Sequence, residues 1–182
     1  VLLLELLVYP LASDASGFLH DHREQLVIDS MRDFAAPEFG VDIYKLEPPG
    51  ALSQVPEPDA PASKKIQSAY DKLGKITPRP WVLLSAGAGP ADFRRSLTFA
   101  YRAGASGYLC GRAIWQHAFE QFPDMMAMKA SLLSESVRFV DSINALTDRL
   151  ATPWNEHPGW GGTVTIDGDG PAFAPHYGDG AG

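Results

Sequence analysis

The sequence predicts an α/β protein built on a parallel sheet, and three observations carry that expectation. Short apolar runs alternate with segments of helical period, giving four β/α units. Helix start and stop signals fall between the runs. Each run also turns polar toward its carboxyl end, where parallel α/β proteins hold their chemistry in barrels and open sheets alike. With 182 residues, 45% hydrophobic and 20% charged, the chain can bury one substantial core, and one domain is the expected count.

The first strand lies in VLLLELLV, at about Leu2 to Val8. This run is too short to span a bilayer, and it lacks the basic leader and small-residue cleavage site of a secretory signal. The sequence opens inside this element without an initiator methionine, so something is expected to precede residue 1 in the natural protein. A helix follows from near Gly17 to Phe34, with Leu19, Leu26 and Val27 among its apolar positions. The second strand covers Val41 to Leu46. A long Pro-rich loop, PPGALSQVPEPDAPAS, leads from it to a helix of about Lys64 to Leu73 that closes at Gly74, a residue favoured just past a helix C-terminus.

The third strand, WVLLSAG, runs from Trp81 to Gly87, and Pro90-Ala91-Asp92 opens a helix to about Tyr101, because proline and an acid suit a first turn. The fourth, SGYLCGR, ends near Arg112, and AIWQHAF starts a helix at once. A last helix covers about Met128 to Leu150. After TPW comes a tail rich in Gly, Pro and Asp, residues 155–182, for which partial disorder is expected. Its DGDG lacks the rest of a calcium loop.

Charge and cysteine content exclude several functions. The formal net charge is -7 with acids scattered along the chain, so no basic face is available for nucleic acid or an anionic membrane. The one cysteine, Cys110, cannot form an intrachain disulfide; it reads as a core residue and fits a reducing, cytoplasmic compartment. His20 and His22 lie two apart on a helix, where they share no face, so they read as a solvated pair, and no metal or other cofactor is expected.

Strand parity brings out the chemistry. Residues two apart share a face, so Val41, Ile43, Lys45 and Glu47 point one way, apolar early and ionisable late. In the first strand Val1, Leu3, Glu5 and Leu7 share a face on which Glu5 is the only polar member. Trp81, Leu83, Ser85 and Gly87 share one in the third, and an inward row of Leu3, Ile43, Leu83 and Leu109 is expected. Consecutive strands of a βαβ series are usually neighbours about 4.8 Å apart, which brings Glu5 within reach of Lys45. A lysine in a water-poor pocket has its charged form disfavoured and becomes a nucleophile toward ketones, and a neighbouring carboxyl can move the protons that imine chemistry needs. A structural ion pair of Lys45 with Glu5 or Glu47 fits the same pattern.

Two loops add an anion site to that lysine. SAGAGPADF carries Ser85 and Gly87 into a helix N-terminus, and CGRAIW carries Gly111 and Arg112 into another. Backbone N–H groups at helix starts together with an arginine suit phosphate, although tight-turn glycines and a surface arginine would leave the same trace.

ELLVYP, VDIYKLEPP, PWVLLSAGAGPADF, AGASGYLCGRAIW and DRLATPW, in this order and spacing, resemble the second half of the tagatose 1,6-bisphosphate aldolase family, which includes the sulfofructose-phosphate aldolases. The resemblance covers about residues 1 to 154, and the tail has no counterpart. It implies a (β/α)8 TIM barrel of which this chain holds the last four β/α units, and a class I aldolase. By position, it implies that Lys45 forms the Schiff base, that Glu5 is the acid/base, and that Ser85, Gly87, Gly111 and Arg112 hold a substrate phosphate, with Glu47 in support. The implied substrate is a ketose 1-phosphate or 1,6-bisphosphate cleaved to dihydroxyacetone phosphate and an aldehyde. Pro10 departs from the family, whose tagatose enzymes tend to have an acid there, so 6-deoxy-6-sulfofructose 1-phosphate is an alternative substrate. A complete barrel takes about 250 residues. The expected partners are therefore a second copy in a homo-oligomer or a missing N-terminal half. A non-catalytic phosphate-sugar binding or regulatory barrel is the alternative function.

Overall fold

In a computed structural model of the chain, residues 1–162 and Val164 are described. Four parallel strands form one sheet in sequence order: β1 (Leu3–Leu6), β2 (Ile43–Leu46), β3 (Trp81–Leu84) and β4 (Gly107–Leu109). Between them run α1 (Phe18–Asp33), α2 (Ser63–Ile76) and α3 (Pro90–Arg102), and after β4 come α4 (Arg112–Phe119), α5 (Met125–Ser131) and α6 (Val137–Leu150). Parallel neighbours need crossovers, and crossovers of one hand put every helix on the same side of a sheet laid down in sequence order.

The two faces of the sheet therefore differ. Tyr44, Leu46, Trp81 and Leu83 are buried under the helices with Met31, Leu73, Phe93, Leu97 and Ile143. On the other face the register aligns Leu3 with Ile43, Glu5 with Lys45, Lys45 with Val82, and Leu84 with Leu109. There Leu3 and Leu109 remain 41% and 44% exposed. The expected inward row thus needs one correction. Leu83 lies beside Leu46 and belongs to the helix face, and Val82 and Leu84 take its place. Parity within a strand is fixed by the pleat, but the phase of β3 against β2 is set by the connection between them.

Two helix boundaries also move. Gly74 does not end α2, which continues to Ile76; a Cβ at Gly74 would collide with the carbonyl of Ala103 at the end of α3. Glycine is there for close helix approach, the role it has where backbones meet. The last helical stretch starts at Met125, where Asp124 accepts from the N–H groups of Met126 and Ala127, and it passes through a π-helical turn at Leu132–Ser136 before α6.

The Pro-rich loop between β2 and α2 is tied down. Arg23 Nε donates to the Pro48 carbonyl at 3.1 Å, and Val55, itself buried, donates its N–H to Asp92 at 2.8 Å. Farther on, Arg95 pairs with Glu57 at 2.7 Å and Arg102 donates to the Pro58 carbonyl at 3.0 Å. At the opposite end of the sheet, the segment after α6 returns beneath β3 and β4: Thr152 donates its N–H to Ala105 at 3.0 Å, and Arg79 donates to the Gly159 carbonyl at 2.6 Å. The start of the tail is thus held, with short 3-10 turns at Trp154–Glu156 and Pro158–Trp160. The DGDG stretch lies outside the described residues. No helix among the described residues is long and apolar enough to cross a membrane.

Candidate active site

Glu5 and Lys45 are direct lateral partners on β1 and β2, and on the open face their side chains meet with Nζ 2.9 Å from Oε1. The pair is not sealed from water: the side chains are 22% exposed for Lys45 and 40% for Glu5. Among the described residues, the water-poor setting expected from the sequence is therefore not complete around this pair. Among the described residues, a cleft of about 740 Å³ lies between α1 and α2 behind the β2–α2 loop and another runs along α2, and neither is lined by Lys45.

Glu47 does not join the pair. Beyond the end of β2 it is buried, with Oε1 3.2 Å from Arg23 of α1 and Oε2 accepting the Val8 N–H at 2.8 Å. It therefore fastens the carboxyl ends of β1 and β2 to the first helix, which keeps Glu5 level with Lys45. Arg23 is a further functional residue whose trace in the sequence is a helical stripe. Arg23, Val27 and Met31 follow at four-residue spacing on one stripe of α1, and all three are buried. An arginine on such a stripe calls for an acid partner.

The anion loops follow β3 and β4 at the same end of the sheet. Ser85 is buried and its carbonyl accepts from the Ala88 N–H at 2.8 Å, while Ala86 and Gly87 take left-handed conformations at φ 48° and 85°. For Gly87 that geometry is free of steric cost; for Ala86 it is strained. α3 and α4 both begin at a glycine cap, Gly89 and Gly111, with no side-chain cap hydrogen bond among the described residues. The guanidinium of Arg112 bridges the two loops: its terminal nitrogens lie 3.9 and 4.0 Å from where a Gly87 Cβ would stand. Among the described residues Arg112 forms no ion pair. The structure thus brings Glu5 to Lys45 and Gly87 to Arg112, on strand ends spaced by about 4.8 Å per step across the sheet.

The remaining residues singled out in the sequence are peripheral to this arrangement. Cys110 packs against the core cluster, and burial pushes its thiol up to about 11. His20 and His22 are exposed, and His22 stacks on Phe18. Among the described residues no group of three or more His, Cys, Asp or Glu is gathered to hold a metal ion.

Comparison with known proteins gives this geometry a context. The profile of the DeoC/LacD family aldolases matches residues 1–117. The tagatose 1,6-diphosphate aldolase 1 of Streptococcus mutans is 30% identical over 138 residues, 71% of this chain and 42% of that protein. The tagatose 1,6-diphosphate aldolase of Streptococcus agalactiae is 30% identical over 153 residues, 79% and 47% of the two chains. The tagatose 1,6-diphosphate aldolase 2 of Streptococcus pyogenes is 30% identical over 164 residues, 84% and 50%. The chain spans about half the length of the curated relatives it matches.

Proposed function

This chain belongs to the DeoC/LacD aldolase family, and from that premise we propose that it carries the Schiff-base half of a class I aldolase that cleaves a ketose 1-phosphate or 1,6-bisphosphate. The observation that supports this reading best is the 2.9 Å contact of Lys45 with Glu5, on the open face at the strand ends that also lead into the Arg112 loops. In the cleavage direction Glu5 accepts a proton from the Lys45 ammonium, and the free amine adds to the C2 ketone. Glu5 returns the proton to the carbinolamine hydroxyl, which leaves as water and gives the iminium. The Glu5 carboxylate then takes the C4 hydroxyl proton as the C3–C4 bond breaks, its electrons pass into the iminium, and an aldehyde departs. Reprotonation of the enamine at C3 and hydrolysis release dihydroxyacetone phosphate and Lys45.

Ser85, Gly87, Gly111 and Arg112 are proposed to hold the phosphate. The ketose is of the tagatose 1,6-bisphosphate kind, with 6-deoxy-6-sulfofructose 1-phosphate as the variant raised by Pro10, and the enzyme is assigned to the cytoplasm. The partner that completes the barrel is a preceding half of the same protein or a second copy of this chain. Residues 1–154 are the barrel part in this reading, with 155–182 appended. Borohydride reduction in the presence of dihydroxyacetone phosphate tests the proposal: a mass increase located on Lys45 and lost in Lys45→Arg is expected. Binding of the phosphate without trapping would replace the aldolase by a phosphate-sugar sensor.

A further inference from the structure

Gly111 caps α4, and a Cβ there would stand 3.2 Å from Nε1 of Trp115 and 3.9 Å from its Cε2. The N–H edge of the indole therefore lies against the Gly111 backbone, one turn along the helix that Arg112 opens. Its backbone is fixed by a bond from the Trp115 N–H to the Gly111 carbonyl at 3.2 Å, and its ring by Phe119, with centroids 5.1 Å apart. A tryptophan N–H finds a protein acceptor when it is buried, and one left open to solvent is free to donate to water or to a ligand. Trp160 donates to the Trp154 carbonyl at 2.7 Å. Trp115 is 39% exposed, and none of the side-chain hydrogen bonds among the described residues involves its indole.

We infer that the Trp115 indole N–H is a further donor to the anion held by Arg112 and the two glycine loops, contacting a phosphomonoester oxygen that Arg112 leaves free. The inference rests on the anion-site reading above and extends it. The guanidinium supplies charge from the Gly87 side, and the indole supplies a neutral, directed bond from the Gly111 side. A methyl group at Gly111 would press on that indole edge unless the ring shifted.

The test is a titration of the full chain with inorganic phosphate, followed through the indole N–H proton resonances. The Trp115 signal is identified by its absence in Trp115→Phe or, should that variant fold poorly, by its displacement in Gly111→Ala. A saturable downfield movement of this resonance is expected, with phosphate affinity falling roughly three- to tenfold in Trp115→Phe, the range for one neutral hydrogen bond. If phosphate binds and Arg112→Ala weakens it while the Trp115 resonance stays in place, the indole is not a ligand and the anion site stands without it. If phosphate does not bind, or binds equally well without Arg112, the anion site itself is wrong and the Trp115 assignment falls with it.

Discussion

The two faces of the sheet are made by the same four strands and behave as different materials. Under the helices, Tyr44, Leu46, Trp81 and Leu83 are each at most 1% exposed. On the open face Leu3 and Leu109 keep about two-fifths of their surface in water, and the ion pair Glu5–Lys45 lies on the same face. A charged pair costs little on a hydrated surface, whereas a buried one needs further support; Arg23–Glu47 has it from the Pro48 carbonyl and the Val8 amide, although Arg23 Nη2 faces Glu47 at 3.2 Å without hydrogen-bond geometry. The covered face supplies rigidity, and the open one is free to carry chemistry.

The largest effect that would break this contrast is expected at the buried pair. Glu47→Ala leaves the Arg23 guanidinium without its counter-charge and the Val8 amide without an acceptor, a loss of about 3–5 kcal/mol. Urea unfolding measures it, and an Arg23→Met, Glu47→Leu double variant is expected to recover most of the loss. A Glu47→Ala protein as stable as the wild type would show that the link between α1 and the strand ends carries no energy.

Next come the leucines. Leu83→Ala on the helix face is expected to cost about 2–5 kcal/mol, because it opens a void in close-packed surroundings. Leu109→Ala on the open face is expected to fall within about 0.5 kcal/mol. Equal losses at the two sites would mean that something covers the open face in solution. The smallest test uses the neighbour of Leu109, Cys110, which packs against the core. Its thiol, pushed up to about 11 by burial, is expected to resist alkylation at pH 8 and to react faster as pH rises through 10. Rapid labelling at neutral pH would place Cys110 on a surface that opens.

Much of this was legible in the sequence. The unit count, the strand order and the opposition of Glu5 to Lys45 follow from pleat parity and from the tendency of consecutive strands to pair. Leu83 was misplaced because a one-residue offset between strands depends on the connecting loop, which leaves no local trace. Gly74 reads as a stop signal because glycine usually is one; its actual reason, the Ala103 carbonyl beside it, is a contact between helices distant in sequence. Arg112 over Gly87 was only half readable. Each loop announces a helix start, but nothing in either string says that the guanidinium of one lies across the glycine of the other.

The long segment between β2 and α2 has a consequence for recognition. A loop this long would ordinarily have to be frozen by whatever binds it, and that ordering would weaken the complex. Here the arginines of α1 and α3, together with Asp92, have already fixed its course. A molecule arriving at the strand ends would meet a shaped wall, so its contacts would count toward affinity and selectivity without first being spent on immobilising the chain.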